Sequence, residues 1–187
     1  MKPLFCIFVA LVFLAACQPQ TETNQVKSYF DLKGFIESQL RELEKRKPTV
    51  DKKMSLDGES ESKQTNEINW AKELDLFIQA DINKQAYQSS YETTQPTPKT
   101  NLYTLKKGEN QPVQSLKVTF DDKTQMPSLI EVSLKEENKL YDSEKQLRLT
   151  CGMRPEGVWL IKTYEISGFQ HLSLTDKKSF SIVGTIY

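Results

Sequence analysis

The sequence predicts an α+β fold, with two amphipathic helices packed on a curved, mainly antiparallel β-sheet that runs as a meander and, at its most coiled, forms a half-open barrel. Three observations predict it. Apolar residues recur at steps of three and four over two early segments, segments beyond Lys99 alternate apolar with polar residues, and no helical period separates those later strands. A doubly wound parallel sheet is excluded, because each of its strands needs a crossover, usually a helix, before the next.

The first helix is read from Tyr29, Leu32, Ile36, Leu40 and Leu43, which fall on one stripe and end in a basic turn before Pro48. Cations at that end suit the helix dipole. Residues 49–56 read as a strand closed by the turn Asp57-Gly58. Ile68, Ala71, Leu74, Phe77, Ile78 and Ile82 predict a second helix reaching residues 84–87, with Trp70 widening its buried face. Pro96 and Pro98 then break regular structure. Strands follow at residues 102–105, 113–120, 128–134, 139–151, 157–166, 169–174 and 180–187. Leu116, Val118 and Phe120 oppose Ser115, Lys117 and Thr119, and Ile130, Val132 and Leu134 oppose Glu131 and Ser133, so one face is wet and the other covered. In the 157–166 strand, Trp159 and Ile161 fall on one face and Val158, Leu160 and Tyr164 on the other, which predicts a central position under a helix.

The amino terminus carries a different signal. Lys2 supplies a positive charge, residues 4–14 form an unbroken apolar run, and Ala15-Ala16-Cys17 ends it with small residues and a thiol. The run is short of the ~20 apolar residues that span a bilayer. Leu14-Ala15-Ala16-Cys17 resembles the lipobox of bacterial prolipoproteins, which implies cleavage between Ala16 and Cys17 and acylation of the Cys17 thiol, palmitate included. Several acyl chains make a stable anchor where one would bind marginally. The expected organisation is a signal peptide over residues 1–16, a lipidated tether over 17–25 and one α+β domain over 26–187. Gln18 is not the Asp that retains such proteins on the inner membrane of well-studied diderm bacteria, so the resemblance implies the outer membrane, on its periplasmic or its exterior face.

The chain has 25 basic and 25 acidic side chains, so losing Lys2 with the signal leaves one acidic charge in excess. This balance argues against nucleic acid, which needs a basic stripe, and against a polybasic membrane-surface patch. Cys151 would be the sole thiol of the mature domain, unable to form an internal disulfide and expected to be buried beside Leu147 and Leu149.

Chemistry-bearing motifs are sparse. His171 is the chain's single histidine and reads as a half-exposed strand residue rather than a ligand or base. No Cys/His spacing suits zinc, no Gly-rich loop suits a phosphate, and no cofactor is implied. Ser60 and Lys63 match the Ser-x-x-Lys spacing of penicillin-recognising enzymes, but the companion motifs are missing. Asp121-Asp122 reads as a turn pair, with calcium binding or a shared proton as the alternative. Trp70, Tyr103, Tyr141 and Trp159 head a set of aromatics that would line a concave sheet face if it holds a ligand.

Tyr29-Phe30-Asp31-Leu32-Lys33 through Asp75-Leu76-Phe77-Ile78-Gln79-Ala80-Asp81-Ile82-Asn83-Lys84 resembles uncharacterised lipoproteins of Bacteroidota-type envelopes, a resemblance that implies a location and no catalytic residue. The sequence reading is therefore a non-enzymatic, membrane-anchored binding or accessory module, held by Cys17 and meeting an envelope protein partner or an apolar ligand. The alternatives are a carrier of an apolar ligand and a periplasmic enzyme working through His171 or Asp121-Asp122.

Overall fold

A computed structural model describes residues 27–187; the expected signal peptide, the lipobox and the whole tether over 17–25 lie outside the described residues. Of the described residues 51% lie in strands and 17% in helices, so the α+β fold leans towards β. The elements run α1 (Leu32–Arg46), β1 (Val50–Leu56), β2 (Glu59–Thr65), α2 (Trp70–Glu73), α3 (Asp75–Gln79), a single 3-10 turn (Gln85–Tyr87), β3 (Tyr91–Thr97), β4 (Thr100–Leu105), β5 (Val113–Phe120), β6 (Pro127–Glu137), β7 (Tyr141–Met153), β8 (Trp159–Leu172) and β9 (Lys178–Ile186).

All nine strands form one antiparallel sheet in the order β2-β1-β9-β8-β7-β6-β5-β4-β3. Strands β4 to β9 are the expected meander, and β3 extends it at the β4 edge. The β1–β2 hairpin adds to its far side by pairing β1 with β9, Val50 opposite Ile186 and Leu56 opposite Phe180. The sheet is open, with β2 and β3 as its two edges.

Helix α1 begins where the Asp31 carboxylate accepts the Gly34 N–H at 2.9 Å, and it ends at Lys47, whose left-handed backbone (φ 47°) returns its N–H to the Leu43 carbonyl. Leu32, Ile36 and Leu43 are fully buried. Tyr29 falls outside the helix and instead sets its ring edge-on to Tyr91 and Tyr103. The predicted second helix is broken: Leu74 ends α2 and opens α3 with ψ near 8°, which turns the axis. The break gives burial to Trp70, Leu74, Phe77 and Ile82 and leaves Ala71 exposed, against the single stripe expected.

Two strands were hidden from pattern reading. β2 is ESESKQT, exposed along nearly its whole length, so it carries no apolar alternation. β3 contains Pro96, tolerated because β3 is an edge strand and its ladder to β4 is irregular between Thr94 and Thr97. Two predicted strands are one: β8 continues through Gly168, where a Cβ would lie 2.1 Å from the Glu144 carbonyl oxygen, so only glycine lets the ladder close there. The face assignment in β8 is also corrected. A bulge between Thr150 and Cys151 pairs Leu149 with Tyr164 but Cys151 with Ile161, which turns Ile161 and Tyr164 to the same, helix-covered face. Both are 0% exposed and in the main core, while Leu160 is buried outside it.

Candidate functional site

Register builds three transverse rows on the helix-bearing face. The first is Leu149, Tyr164, Gly184, Lys52 and Lys63 from β7, β8, β9, β1 and β2. The second is Leu147, Ile166, Ile182, Met54 and Glu61, and the third is Lys145, Gly168, Phe180, Leu56 and Glu59. Trp70 stands edge-on to Tyr164 at 6.4 Å, and Glu73 meets Lys52 at 2.8 Å, so α2 covers the first row.

The helices do not reach across the third row. A groove of about 790 Å³ lies there, with Met54, Leu56, Phe180 and Ile182 as its apolar floor, Leu76 of α3 at the covered end, Glu59 and Glu61 along the outer lip and Lys145 with Gln170 on the inner side. The absent side chain at Gly168 separates Lys145 from Phe180 in their row. Lys145 is largely buried, 3.4 Å from Ser143 Oγ and 3.9 Å from Glu136. The chemistry on offer is apolar contact flanked by one cation and two carboxylates, within the volume range of small-molecule sites.

The aromatics expected to line such a site do not converge on it. Trp70 is in the core against Tyr164. Tyr103 is buried against Tyr29, its hydroxyl accepting the Phe30 N–H at 3.2 Å. Trp159 donates its indole N–H to the Pro127 carbonyl at 2.9 Å. Tyr141 is half-buried opposite Leu172. The groove residues were legible only as strand residues: Met54 and Leu56 alternate with Lys53 and Ser55, and Phe180 and Ile182 with Ser179 and Ser181.

The catalytic alternatives are dispersed. Asp142 faces His171, whereas Cys151 lies nine residues further along β7, about 30 Å away, so the two form no dyad. Burial pushes the Cys151 thiol up to about 12, the opposite of an activated nucleophile. Asp121 sits at the other end of β6 from Asp142 and accepts from the Thr124 N–H, the Thr124 hydroxyl and the Lys123 N–H, bonds that hold its carboxyl below the usual range. Asp122 pairs with Lys99. Ser60 and Lys63 are on strand β2, where a three-residue step points side chains to opposite faces, not together as on a helix. Among the described residues no group of three or more His, Cys, Asp or Glu side chains is placed to hold a metal ion, and no helix is long and apolar enough to cross a membrane.

The fold and groove thus define a class of open, mainly β antiparallel sheet with short helices on one face and an uncovered apolar groove beside them. Compared with protein-family models, curated proteins and solved structures, the chain matches none.

Proposed function

We propose that this chain is a lipid-anchored protein of the bacterial envelope, tethered through Cys17 to the outer membrane, whose domain acts as a non-enzymatic binding or accessory module. The observation that carries the anchor is Leu14-Ala15-Ala16-Cys17 at the end of the apolar run. A thiol is the acceptor that diacylglyceryl transfer needs, and the small residues before it admit the peptidase. Acylation removes the need for a membrane-spanning helix.

A second reading is favoured by the groove over Met54, Leu56, Phe180 and Ile182: the module carries an apolar ligand. In that reading the curved sheet is a half-open barrel, its concave face partly filled by the helices and left free at the groove. An elongated apolar molecule would lie along the floor, and an anionic end would meet Lys145.

Intact-mass measurement of protein extracted from membranes, beside a Cys17→Ala variant, tests the anchor. The expected result is a wild-type chain beginning at an acylated Cys17 and a variant that keeps residues 1–16; an unacylated mature chain overturns the reading. Native mass measurement of the same extract in mild detergent is expected to show either a retained lipid-sized ligand or a co-purifying subunit, which separates the carrier from the accessory role.

A further inference from the structure

The sheet has two edges, and only one of them is blunted. At β3, Pro96 has no N–H to offer and the ladder is irregular between Thr94 and Thr97, two devices that keep a further strand from adding. Strand β2 has neither: Glu59–Thr65 pairs with β1 in unbroken register, contains no proline and is exposed at every residue but Thr65. Among the described residues no strand lies on its outer side.

The ladder fixes which backbone groups that edge presents. The Asp57 N–H donates to the Ser179 carbonyl and the Tyr187 N–H to the Thr49 carbonyl, so odd-numbered residues of β1 bond to β9 and even-numbered ones to β2. The even-numbered ones face Glu59, Glu61, Lys63 and Thr65, which leaves the N–H and C=O groups of Ser60, Ser62 and Gln64 pointing outward. A second β2 presents the matching set, and its side chains decide where it sits. With a two-fold axis at Ser62, Ser60 faces Gln64, Ser62 faces Ser62, and Glu61 faces Lys63 of the second copy in both directions. An axis at residue 61 sets Glu61 against Glu61, one at 63 sets Lys63 against Lys63, and one at 60 sets Glu59 against Glu61. The Ser62 register attracts and these neighbours repel. Within one copy neither Glu61 nor Lys63 is in an ion pair among the described residues. Across the axis they would be opposite residues that exchange no backbone bonds, the closer kind of cross-strand pair.

We infer that β2 is a self-association edge: two copies of this chain join β2 to β2, antiparallel about Ser62, and continue the sheet across a two-fold axis. Ser60, Ser62 and Gln64 of each copy then donate one N–H and accept at one C=O, bonds that the single copy leaves to water. The main chain supplies the attraction, and the Glu61–Lys63 pairs, exposed and individually weak, supply the register. One strand covers far less than the ~800 Å² per partner of a standard interface, so the dimer is weak and concentration-dependent. The second copy also reaches the groove, because Glu61 stands on its outer lip and would have Lys63 of that copy beside it. The inference depends on neither the anchor nor the ligand reading.

The test uses the full chain in mild detergent, oxidised with copper phenanthroline, carrying Ser62→Cys or, as a register control, Ser60→Cys. Cys151 is buried, and the parent chain measures whatever its own thiols contribute. At the axis the two Cα atoms would lie ~5.5 Å apart, within disulfide reach, whereas position 60 faces Gln64 and stands more than about 13 Å from its twin. The expected result is a cross-linked dimer at 62 that rises with protein concentration and the parent's level at 60. Glu61→Lys or Lys63→Glu, each added to Ser62→Cys at an exposed position, should cut the cross-linked fraction about tenfold at low protein concentration. Mixing those two variants should restore it, because lysine then faces glutamate throughout the pair, a rescue that damage to folding would not produce. Cross-linking at 62 no higher than the parent's, equal cross-linking at 60 and 62, or a mixture no better than its components overturns the inference.

Discussion

The Tyr164 ring lies flat over Gly184: a Cβ built on that glycine would stand 2.1 Å from the ring and 2.4 Å from the hydroxyl oxygen. The two residues are register partners on β8 and β9, and Trp70 closes the ring from above. Gly184→Ala must push the ring into that packing. We expect a loss of ~2–3 kcal/mol, read as a lower denaturant midpoint at unchanged slope. A midpoint equal to the parent's would show that the ring has room to move.

The Tyr164 hydroxyl is buried without a hydrogen-bond partner, next to a Glu73 carboxylate that Lys52 holds at 2.8 Å. Burial first and Glu73 second push its ionisation far above the ordinary tyrosine range. Tyr164→Phe removes an unsatisfied polar atom and keeps the ring. Thermal unfolding should show the variant as stable as the parent or up to about 1 kcal/mol more stable; a marked loss would reveal a hydrogen bond to Glu73.

Gln39 is a buried polar residue in the middle of α1's covered face, and its carboxamide serves the β8 backbone. Its oxygen accepts the Ile161 N–H at 2.9 Å and its amide donates to the Trp159 carbonyl at 3.3 Å. These groups lie beyond the last β8–β9 pair, Thr163 with Thr185, and so have no ladder partner on that side. Gln39→Leu leaves both unsatisfied and should cost ~2–3 kcal/mol in chemical denaturation, with faster amide exchange at Ile161.

Stability should fall with alkaline pH in part through Cys151. Its folded thiol ionises near 12 because it is buried, against ~8.5 in an unfolded chain. Below ~8.5 both states are protonated and the full stability is present; above it the unfolded state alone ionises, so stability is lost progressively up to about 12. Cys151→Ala should flatten that part of the decline, leaving the share due to Tyr91 and Tyr164, whose ionisation burial also raises. A thiol reagent at pH 8 should label the parent only after unfolding.

The groove makes its own demand. Phe180→Ser shortens a half-buried floor residue and leaves the helix-covered core intact. An apolar fluorescent probe that binds the parent should bind this variant about tenfold less tightly, the loss of roughly one apolar contact. Equal binding would place the probe elsewhere.

Much of the scaffold was legible wherever one period dominated. β5 spans Val113–Phe120 as its alternation predicts, with Leu116 and Val118 buried. Asp57-Gly58 makes the tight hairpin turn, φ 49° and 91°, that such a pair favours. The buried position of Cys151 followed from its parity with Leu147 and Leu149. The groove was not legible, because its floor joins β1 to β9, strands more than a hundred residues apart in the chain.

By itself the sequence determined the α+β class, the covered face of α1 and most of the meander, since each is written in local periodicity. Tertiary structure alone decided the edge strand β2, the break at Leu74, the bulge that brings Ile161 and Tyr164 to one face, and the uncovered floor beyond the helices. The physical reason is the range of the forces involved. A strand with no apolar face forms because a neighbour supplies its hydrogen bonds, and a groove exists where covering helices end, and neither condition is recorded within a few residues of the chain.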